Sequence, residues 1–167
     1  MNAHVAVADI DGDGDRDVLV ASAYPSPVPP YRLLRNDGTG HFLDISGQLP
    51  INPGNAFEIA GAAFGDVDGD GDQDLVWPLS NHLLRNQGNG TFTLDANLLP
   101  LPYCQGQACL FDADGDGDLD LATAYGGSPE CLVNTGRALL RNDGTGRFQL
   151  TPPAVAAPPG EPFDFDG

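Results

Sequence analysis

Short apolar segments alternate along this chain with polar turns that are rich in aspartate, asparagine and glycine. Val5–Ala8 and Val18–Val20 flank one such turn, and Ala62–Phe64 and Leu75–Trp77 flank another. These segments span only three or four residues and are rich in β-branched or aromatic side chains, a pattern typical of strands. No segment keeps a helical period. The pattern therefore predicts an all-β fold in which polar turns join short strands.

The most informative turns are three copies of one acidic run, with five aspartates in nine residues. The copies span Asp9–Asp17, Asp66–Asp74 and Asp112–Asp120, and the opening of a fourth appears at Asp164–Gly167. Acidic stretches often serve as flexible linkers. Linkers do not recur with one internal spacing between apolar segments, so we interpret these runs as folded loops.

A second motif follows each acidic run: Leu-Leu-Arg-Asn, then two glycines and a phenylalanine. It spans Leu33–Phe42, Leu83–Phe92 and Leu139–Phe148. An apolar strand, an asparagine- and glycine-rich turn and an aromatic return strand are typical of a β-hairpin. We interpret it as scaffold. Both motifs together give a unit of four antiparallel strands, which indicates a β-propeller blade.

The repeats divide residues 1–167 into units of about 1–57, 58–103 and 104–155, with the start of a fourth at 156–167. Propellers close with about four to eight blades. Three blades form only a partial propeller, so we expect the remaining blades in a longer parent chain. In each blade the acidic loop and the glycine turn must share one end, and the variable connections must lie at the other, where ligand binding is expected.

The acidic runs also predict a bound cation. Two carboxylates about 4 Å apart repel by roughly 4 kcal/mol at an effective dielectric constant near 20, so a compact loop needs a counter-ion. Side-chain oxygens at loop positions 1, 3, 5 and 9 and a backbone carbonyl at position 7 match the oxygen-rich, flexible coordination that Ca²⁺ prefers. Glycine at position 6 allows the sharp turn. The position-6 glycines are Gly14, Gly71 and Gly117.

The loop is not an EF-hand, because that loop ends in a glutamate at position 12. The corresponding residues are Val20, Trp77 and Thr123. We predict about three Ca²⁺ sites, one for each complete run. Their predicted ligands are Asp9, Asp11, Asp13, Asp15, Asp17, Asp66, Asp68, Asp70, Asp72, Asp74, Asp112, Asp114, Asp116, Asp118 and Asp120, where Asp15, Asp72 and Asp118 contribute carbonyls.

The segment Phe64–Val76, together with the downstream Leu-Leu-Arg-Asn motif, resembles the FG-GAP/VCBS repeat family, which includes the propellers of integrin α subunits. The resemblance implies a calcium-stabilised β-propeller, commonly seven-bladed, in secreted or surface proteins, and it implies the same aspartate ligands. Only the second unit has the Phe-Gly pair, and no Gly-Ala-Pro follows. We therefore infer neither an integrin nor its ligands.

The favoured function is a calcium-binding scaffold for adhesion or for binding a protein or carbohydrate. Sites of this kind with dissociation constants of about 0.1–1 mM suit extracellular fluid, so an extracellular, cell-surface or periplasmic location is expected. The alternative is the propeller part of an extracellular polysaccharide lyase. Its candidate residues would be His4, His41, His82, Arg32 and Arg137, but none lies in a catalytic motif. We predict no catalytic residues.

Charge and composition restrict the partners. The net charge is −17, yet 15 of the 24 acidic residues lie in the three runs, which points to metal ligation. All seven Lys and Arg residues are arginines, and three of them occupy the Leu-Leu-Arg-Asn position of the hairpin motif, so nucleic acid is not expected as a partner. The sequence contains no long apolar run, so membrane insertion of this segment is not expected.

Cysteines and tyrosines leave alternatives open. Cys104 and Cys131 fall in loops of one unit, and a disulfide between them is plausible in an oxidising compartment. Cys109 replaces an alanine of the other units and is expected to be a small buried strand residue. The tyrosines of the variable connections either stack on sugar rings or pack the loops, and packing is favoured. These are Tyr24, Tyr31, Tyr103 and Tyr125.

Overall fold

The computed structural model describes residues 3–22, 31–51, 61–78, 81–95, 99, 107–124 and 137–151. These ranges contain twelve β-strands and a one-turn 3-10 helix, Ser46–Gln48, and no α-helix. Among them, no helix is long and apolar enough to cross a membrane. Most of the variable connections, Cys104, Cys131, three of the four tyrosines discussed above and the fourth acidic run lie outside the described residues.

The strands form three separate four-stranded antiparallel sheets, which we name blades 1, 2 and 3. Blade 1 contains β1 (Ala3–Ala8), β2 (Asp17–Ser22), β3 (Tyr31–Asn36) and β4 (Phe42–Asp44). Blade 2 contains β5 (Ala63–Gly65), β6 (Asp74–Trp77), β7 (His82–Asn86) and β8 (Phe92–Leu94). Blade 3 contains β9 (Gln107–Phe111), β10 (Asp120–Ala124), β11 (Arg137–Asn142) and β12 (Phe148–Leu150).

Each blade is a meander in which consecutive strands are hydrogen-bonded neighbours. The acidic run joins the first strand to the second, and the glycine turn joins the third to the fourth. Antiparallel order therefore places both turns at the same end of the blade. The predicted all-β fold of propeller-like blades is confirmed, as is the positive φ at loop position 6: 94° at Gly14, 95° at Gly71 and 97° at Gly117.

A first apolar core lies between blades 1 and 2. Leu19 and Leu33 of blade 1 are fully buried in it, together with Trp77 and Leu84 of blade 2. The ring of Tyr31 meets Trp77 edge to face, with ring centroids 5.7 Å apart and an interplanar angle of 82°. Tyr31 therefore packs between blades, which confirms the packing interpretation for this tyrosine.

A second core lies between blades 2 and 3, where Val76 and Leu83 pack with Leu121 and Leu140. Strand β6 supplies residues to both cores because alternate side chains point to opposite faces. Each of its four residues is buried. A strand covered on both faces favours a continuous apolar segment, which explains the sequence Leu-Val-Trp at its end.

The prediction that Cys109 is buried is wrong, because its side chain is exposed. Cys109 pairs with Ala122 in the sheet and belongs to the face of blade 3 that points away from blade 2. The equivalent Ala6 of blade 1 packs against the first core. The local pattern is the same in both blades, but burial at this position depends on a neighbouring blade.

Candidate metal centre

The ninth residue of each acidic run is a buried aspartate that ties the two turns of its blade together. Asp17, Asp74 and Asp120 are all 0% exposed. The Oδ2 atom of Asp17 accepts the backbone N–H of Ile10 at 2.9 Å, and its Oδ1 accepts that of Asn36 at 2.7 Å. The same pair of contacts recurs in blades 2 and 3. This carboxylate therefore joins the acidic loop to the hairpin motif.

The first and fifth residues of the run fold the loop around itself. Asp9 accepts the backbone N–H groups of Gly12 at 2.8 Å and Gly14 at 2.9 Å, and Asp13 accepts that of Asp15 at 2.8 Å. The other two loops repeat these contacts. The backbone amides thus hold the aspartates in a compact ring rather than in an extended linker.

This folding brings three carboxylates together in every loop. In blade 1, Asp9, Asp11 and Asp17 each offer one carboxylate oxygen, and these three atoms lie within 4.8 Å of one another. The corresponding groups are Asp66, Asp68 and Asp70, and Asp112, Asp114 and Asp116. Positions 1 and 3 belong to each group. The third member is position 9 in blade 1 and position 5 in the other two.

The aspartate at position 3 has an oxygen with no partner in two of the loops. Oδ1 of Asp11 and Oδ1 of Asp68 are buried and accept no hydrogen bond from the described residues. Burial is the main cause that raises the pKa of each of these carboxyls above its ordinary value. A buried carboxylate oxygen without a donor is costly. These two atoms therefore mark where the loops fit a cation.

Burial also acts on the ninth residue, where it raises the pKa of Asp74 to about 6. Hydrogen bonds from the backbone of Asn86 and the charge of Arg85 oppose this rise. By contrast, backbone N–H donors, first that of Gly115, lower the pKa of the exposed Asp112. The carboxylates of the loops therefore do not titrate alike, because their burial and their donors differ.

The arginine of the hairpin motif supplies part of the counter-charge. Nη1 of Arg85 lies 2.9 Å from Oδ2 of Asp68 and 3.2 Å from Oδ2 of Asp74. Its Nε donates to Asp95 at 3.0 Å, and its Nη2 donates to the carbonyl of Thr145 in blade 3 at 2.9 Å. Arg85 therefore connects the acidic loop of one blade to the glycine turn of the next.

Arg141 repeats this arrangement, with Nη1 3.2 Å from Asp120 and in contact with Asp114. Arg35 lies farther away, with its Nε 3.7 Å from Oδ2 of Asp11. The arginine thus reaches position 3 in all three loops and position 9 in two of them.

The asparagine that follows each arginine links consecutive blades. Nδ2 of Asn86 donates to the carbonyl of Ile10 in the loop of blade 1 at 2.7 Å. Likewise, Nδ2 of Asn142 donates to the carbonyl of Val67 in the loop of blade 2 at 2.7 Å. Each acceptor is the second residue of an acidic run. The acidic loop is therefore part of the joint between its own blade and the next.

The aspartate at position 7 directs its side chain toward the glycine turn of its own blade. A Cβ added at Gly88 would lie 2.7 Å from Oδ2 of Asp72, and one at Gly144 would lie 2.5 Å from Oδ2 of Asp118. Asp15 and Gly38 show the same close approach. The positive φ, which is 74° at Gly88, favours glycine here, and a larger residue would also displace the end of the Asp72 side chain.

Sequence reasoning missed the arginine and asparagine of the hairpin motif as parts of this site. The available signal was that the pair recurs unchanged as Arg35–Asn36, Arg85–Asn86 and Arg141–Asn142, although turns of this kind do not require arginine. The histidines considered for a lyase are spread over the blades. His4 contacts the carbonyl of Ala62 at 2.7 Å, exposed His41 contacts Asp37, and His82 begins β7.

Sheets with repeated acidic turns and repeated inter-blade contacts define a β-repeat protein with propeller-like blades. Residues 9–77 match the family model for the FG-GAP-like repeat. The predicted resemblance is thereby confirmed over these residues. No curated protein matches the chain.

Replacing the asparagine of the hairpin motif should lower the free energy of unfolding much more in blade 2 than in blade 1. Asn86→Ala removes the hydrogen bond to Ile10 and leaves a buried carbonyl unpaired, so we expect a loss of about 1–3 kcal/mol in the free energy of unfolding. Asn36→Ala is the matched control. Asn36 makes the same hydrogen bond with the glycine turn of its own blade, but among the described carbonyls its side chain donates only to that of Arg16. Urea denaturation measures both, and equal losses would contradict the inter-blade role.

Proposed function

We propose that this protein is a calcium-binding repeat scaffold in which Ca²⁺ stabilises the turn between the first two strands of each blade. The observation that carries the proposal is the buried, unpartnered Oδ1 of Asp11 and of Asp68. In each loop the carboxylates of positions 1 and 3 lie close together with a third. Donor sets made only of oxygen favour Ca²⁺ over softer metals.

Arginine alone does not neutralise a loop. Each run carries five aspartates, whereas one guanidinium contacts positions 3 and 9. The carboxylates of positions 1 and 5 accept only backbone N–H groups, as Asp66 and Asp70 do in blade 2. A divalent cation would supply the missing positive charge. The residues that would hold it are those of positions 1, 3 and 5, with position 9 nearby and a carbonyl at position 7.

Calcium on such loops has a structural role. At a tenfold excess over its dissociation constant, each site adds about 1.4 kcal/mol to folding stability by linkage. Three sites together would add roughly 4 kcal/mol, which is comparable to the total stability of a small domain. A scaffold of this kind suits an extracellular, cell-surface or periplasmic setting, where calcium is abundant.

Calcium should raise the stability of the chain, and removing one carboxylate should remove one ion. We expect about three bound Ca²⁺ by equilibrium dialysis and a melting temperature several degrees higher in about 2 mM calcium than in EDTA, with little effect of magnesium. Asp68→Asn should lower the calcium count by one. Asp44→Asn, a charge-matched change outside the loops, should leave it unchanged. An unshifted melt and no bound calcium would exclude the proposal.

Calcium affinity of the blade 2 loop should increase with pH up to about 6 and then level off. Asp74 has a pKa of about 6 in the metal-free chain, and a protonated carboxyl opposes cation binding. At pH 5 we expect roughly tenfold weaker binding than at pH 7. Without calcium, the same raised pKa lowers stability as pH rises from about 4 to 6, because only the folded chain still holds the proton.

Isothermal titration between pH 5 and pH 7 tests this dependence on a chain with one intact loop. Asp11→Asn and Asp114→Asn would disable the other two loops. An affinity that does not change over this pH range would contradict a role for Asp74 at the cation.

The scaffold would present its variable connections, at the end of each blade opposite the acidic loops, to a protein or carbohydrate ligand. For a carbohydrate, we expect retention on a glycan array in calcium and loss of retention in EDTA. The Asp11→Asn, Asp68→Asn, Asp114→Asn triple variant should lose it as well. Release of unsaturated sugar ends from acidic polysaccharides would overturn the binding class and favour the lyase alternative.

A further inference from the structure

The arginine of the hairpin motif has different surroundings in blades 1 and 2. The Arg85 side chain is 15% exposed, and its Nη1 lies within hydrogen-bond distance of the carboxylates of both Asp68 and Asp74. The Arg35 side chain is 43% exposed, and its Nε lies 3.7 Å from Oδ2 of Asp11, which is longer than a hydrogen bond. Arginine therefore neutralises the acidic loop of blade 2 more strongly than that of blade 1.

Two groups outside the acidic run hold Arg85 in place. Its Nε donates to Asp95 at 3.0 Å, and its Nη2 donates to the carbonyl of Thr145 in blade 3 at 2.9 Å. The position of Asp95 is occupied by Ile45 in blade 1 and by Thr151 in blade 3, since each of the three donates its backbone N–H to the same place in the third strand. Only Arg85 therefore has a carboxylate at this position to orient it.

The glycine turn of the following blade also packs against Arg85 but not against Arg35. A Cβ added at Gly146 of blade 3 would overlap the guanidinium of Arg85. One added at the equivalent Gly90 of blade 2 would instead have atoms of the acidic loop of blade 1 as its nearest neighbours. The guanidinium of Arg85 is thus fixed over its loop by the blade that follows.

The acidic runs of blades 1 and 2 are themselves nearly identical. Asp9–Asp17 and Asp66–Asp74 differ only at positions 2 and 8. Position 2 is a buried apolar residue in both runs. Position 8 is Arg16 in blade 1 and Gln73 in blade 2, and Arg16 is exposed, so solvent screens its charge. The two loops offer the same carboxylates, and the larger electrostatic difference between them is the hairpin arginine.

We infer that the hairpin arginine sets the order in which these two loops bind calcium, so that the loop of blade 1 fills at lower calcium concentration than the loop of blade 2. The inference rests on the proposed calcium function. A cation in blade 2 competes with Arg85 for Oδ2 of Asp68 and is repelled by a guanidinium that its surroundings hold in place. In blade 1 the cation replaces only the longer, screened contact between Arg35 and Asp11.

Isothermal titration with calcium at pH 7 tests the inference on two chains that each keep one intact loop. Asp68→Asn with Asp114→Asn leaves the loop of blade 1, and Asp11→Asn with Asp114→Asn leaves the loop of blade 2. We expect the blade 1 loop to bind roughly tenfold more tightly, because a charge-assisted contact is lost only in blade 2. Adding Arg16→Gln, which makes position 8 alike in both loops, should change the affinity of blade 1 by about threefold or less.

Substitution of the arginine itself separates its effect from other differences between the loops. Arg85→Gln in the blade 2 chain should raise calcium affinity roughly tenfold. Arg35→Gln in the blade 1 chain makes the same change in charge and should raise it about threefold or less. Arg85→Lys keeps the positive charge and should raise affinity less than Arg85→Gln. In EDTA, Arg85→Gln should lower the melting temperature more than Arg35→Gln, because Arg85 makes more contacts.

The outcomes distinguish this inference from the proposed function. Equal calcium affinities in the two single-loop chains, or an Arg85→Gln chain that binds no more tightly, would overturn the inference and leave calcium binding intact. No calcium binding in any chain would overturn both. Circular dichroism verifies that each variant folds. The single-loop chains retain both arginines, so their comparison decides the inference even where Arg85→Gln fails to fold.

Discussion

A buried carboxylate at the end of each acidic run is the interaction on which the rest of the structure depends. Asp74 is 0% exposed and accepts backbone N–H groups from both Val67 and Asn86. A buried charge without donors would be strongly unfavourable, so the loop and the hairpin must both be formed before this side chain is satisfied. The two turns of a blade are therefore coupled, although 12 residues separate Asp74 from Asn86.

The same carboxylate also controls contacts between blades. By fixing the backbone of Asn86, it places that side chain against Ile10 of the preceding loop. The position of the loop in blade 1 is in turn fixed by Asp17, which accepts the N–H of Ile10. The hydrogen bonds to one buried aspartate in each blade thus help to align the next blade. A repeat array can extend in this way through contacts between neighbouring blades only.

The strands and the acidic loops could be predicted from sequence because their signals are local. Apolar segments, the positive-φ glycines and the spacing of the aspartates all lie within one repeat. The inter-blade partners could not be predicted, because Asn86 bonds a residue 76 positions away and Arg85 one 60 positions away. The error at Cys109 has the same origin, since the strand pattern predicts a face but not the blade that covers it.

Three loops of nearly identical sequence differ in how far the protein itself neutralises them. The Arg85 side chain is 15% exposed and is oriented by Asp95 and by the Thr145 carbonyl of blade 3. The Arg35 side chain is 43% exposed and its Nε lies 3.7 Å from Asp11, so solvent screens that pair more strongly. Internal counter-charge is therefore weakest in blade 1, where Asp11 also has a buried oxygen without a donor. How far arginine neutralises each loop is accordingly set by packing against neighbouring blades, not by the acidic run alone.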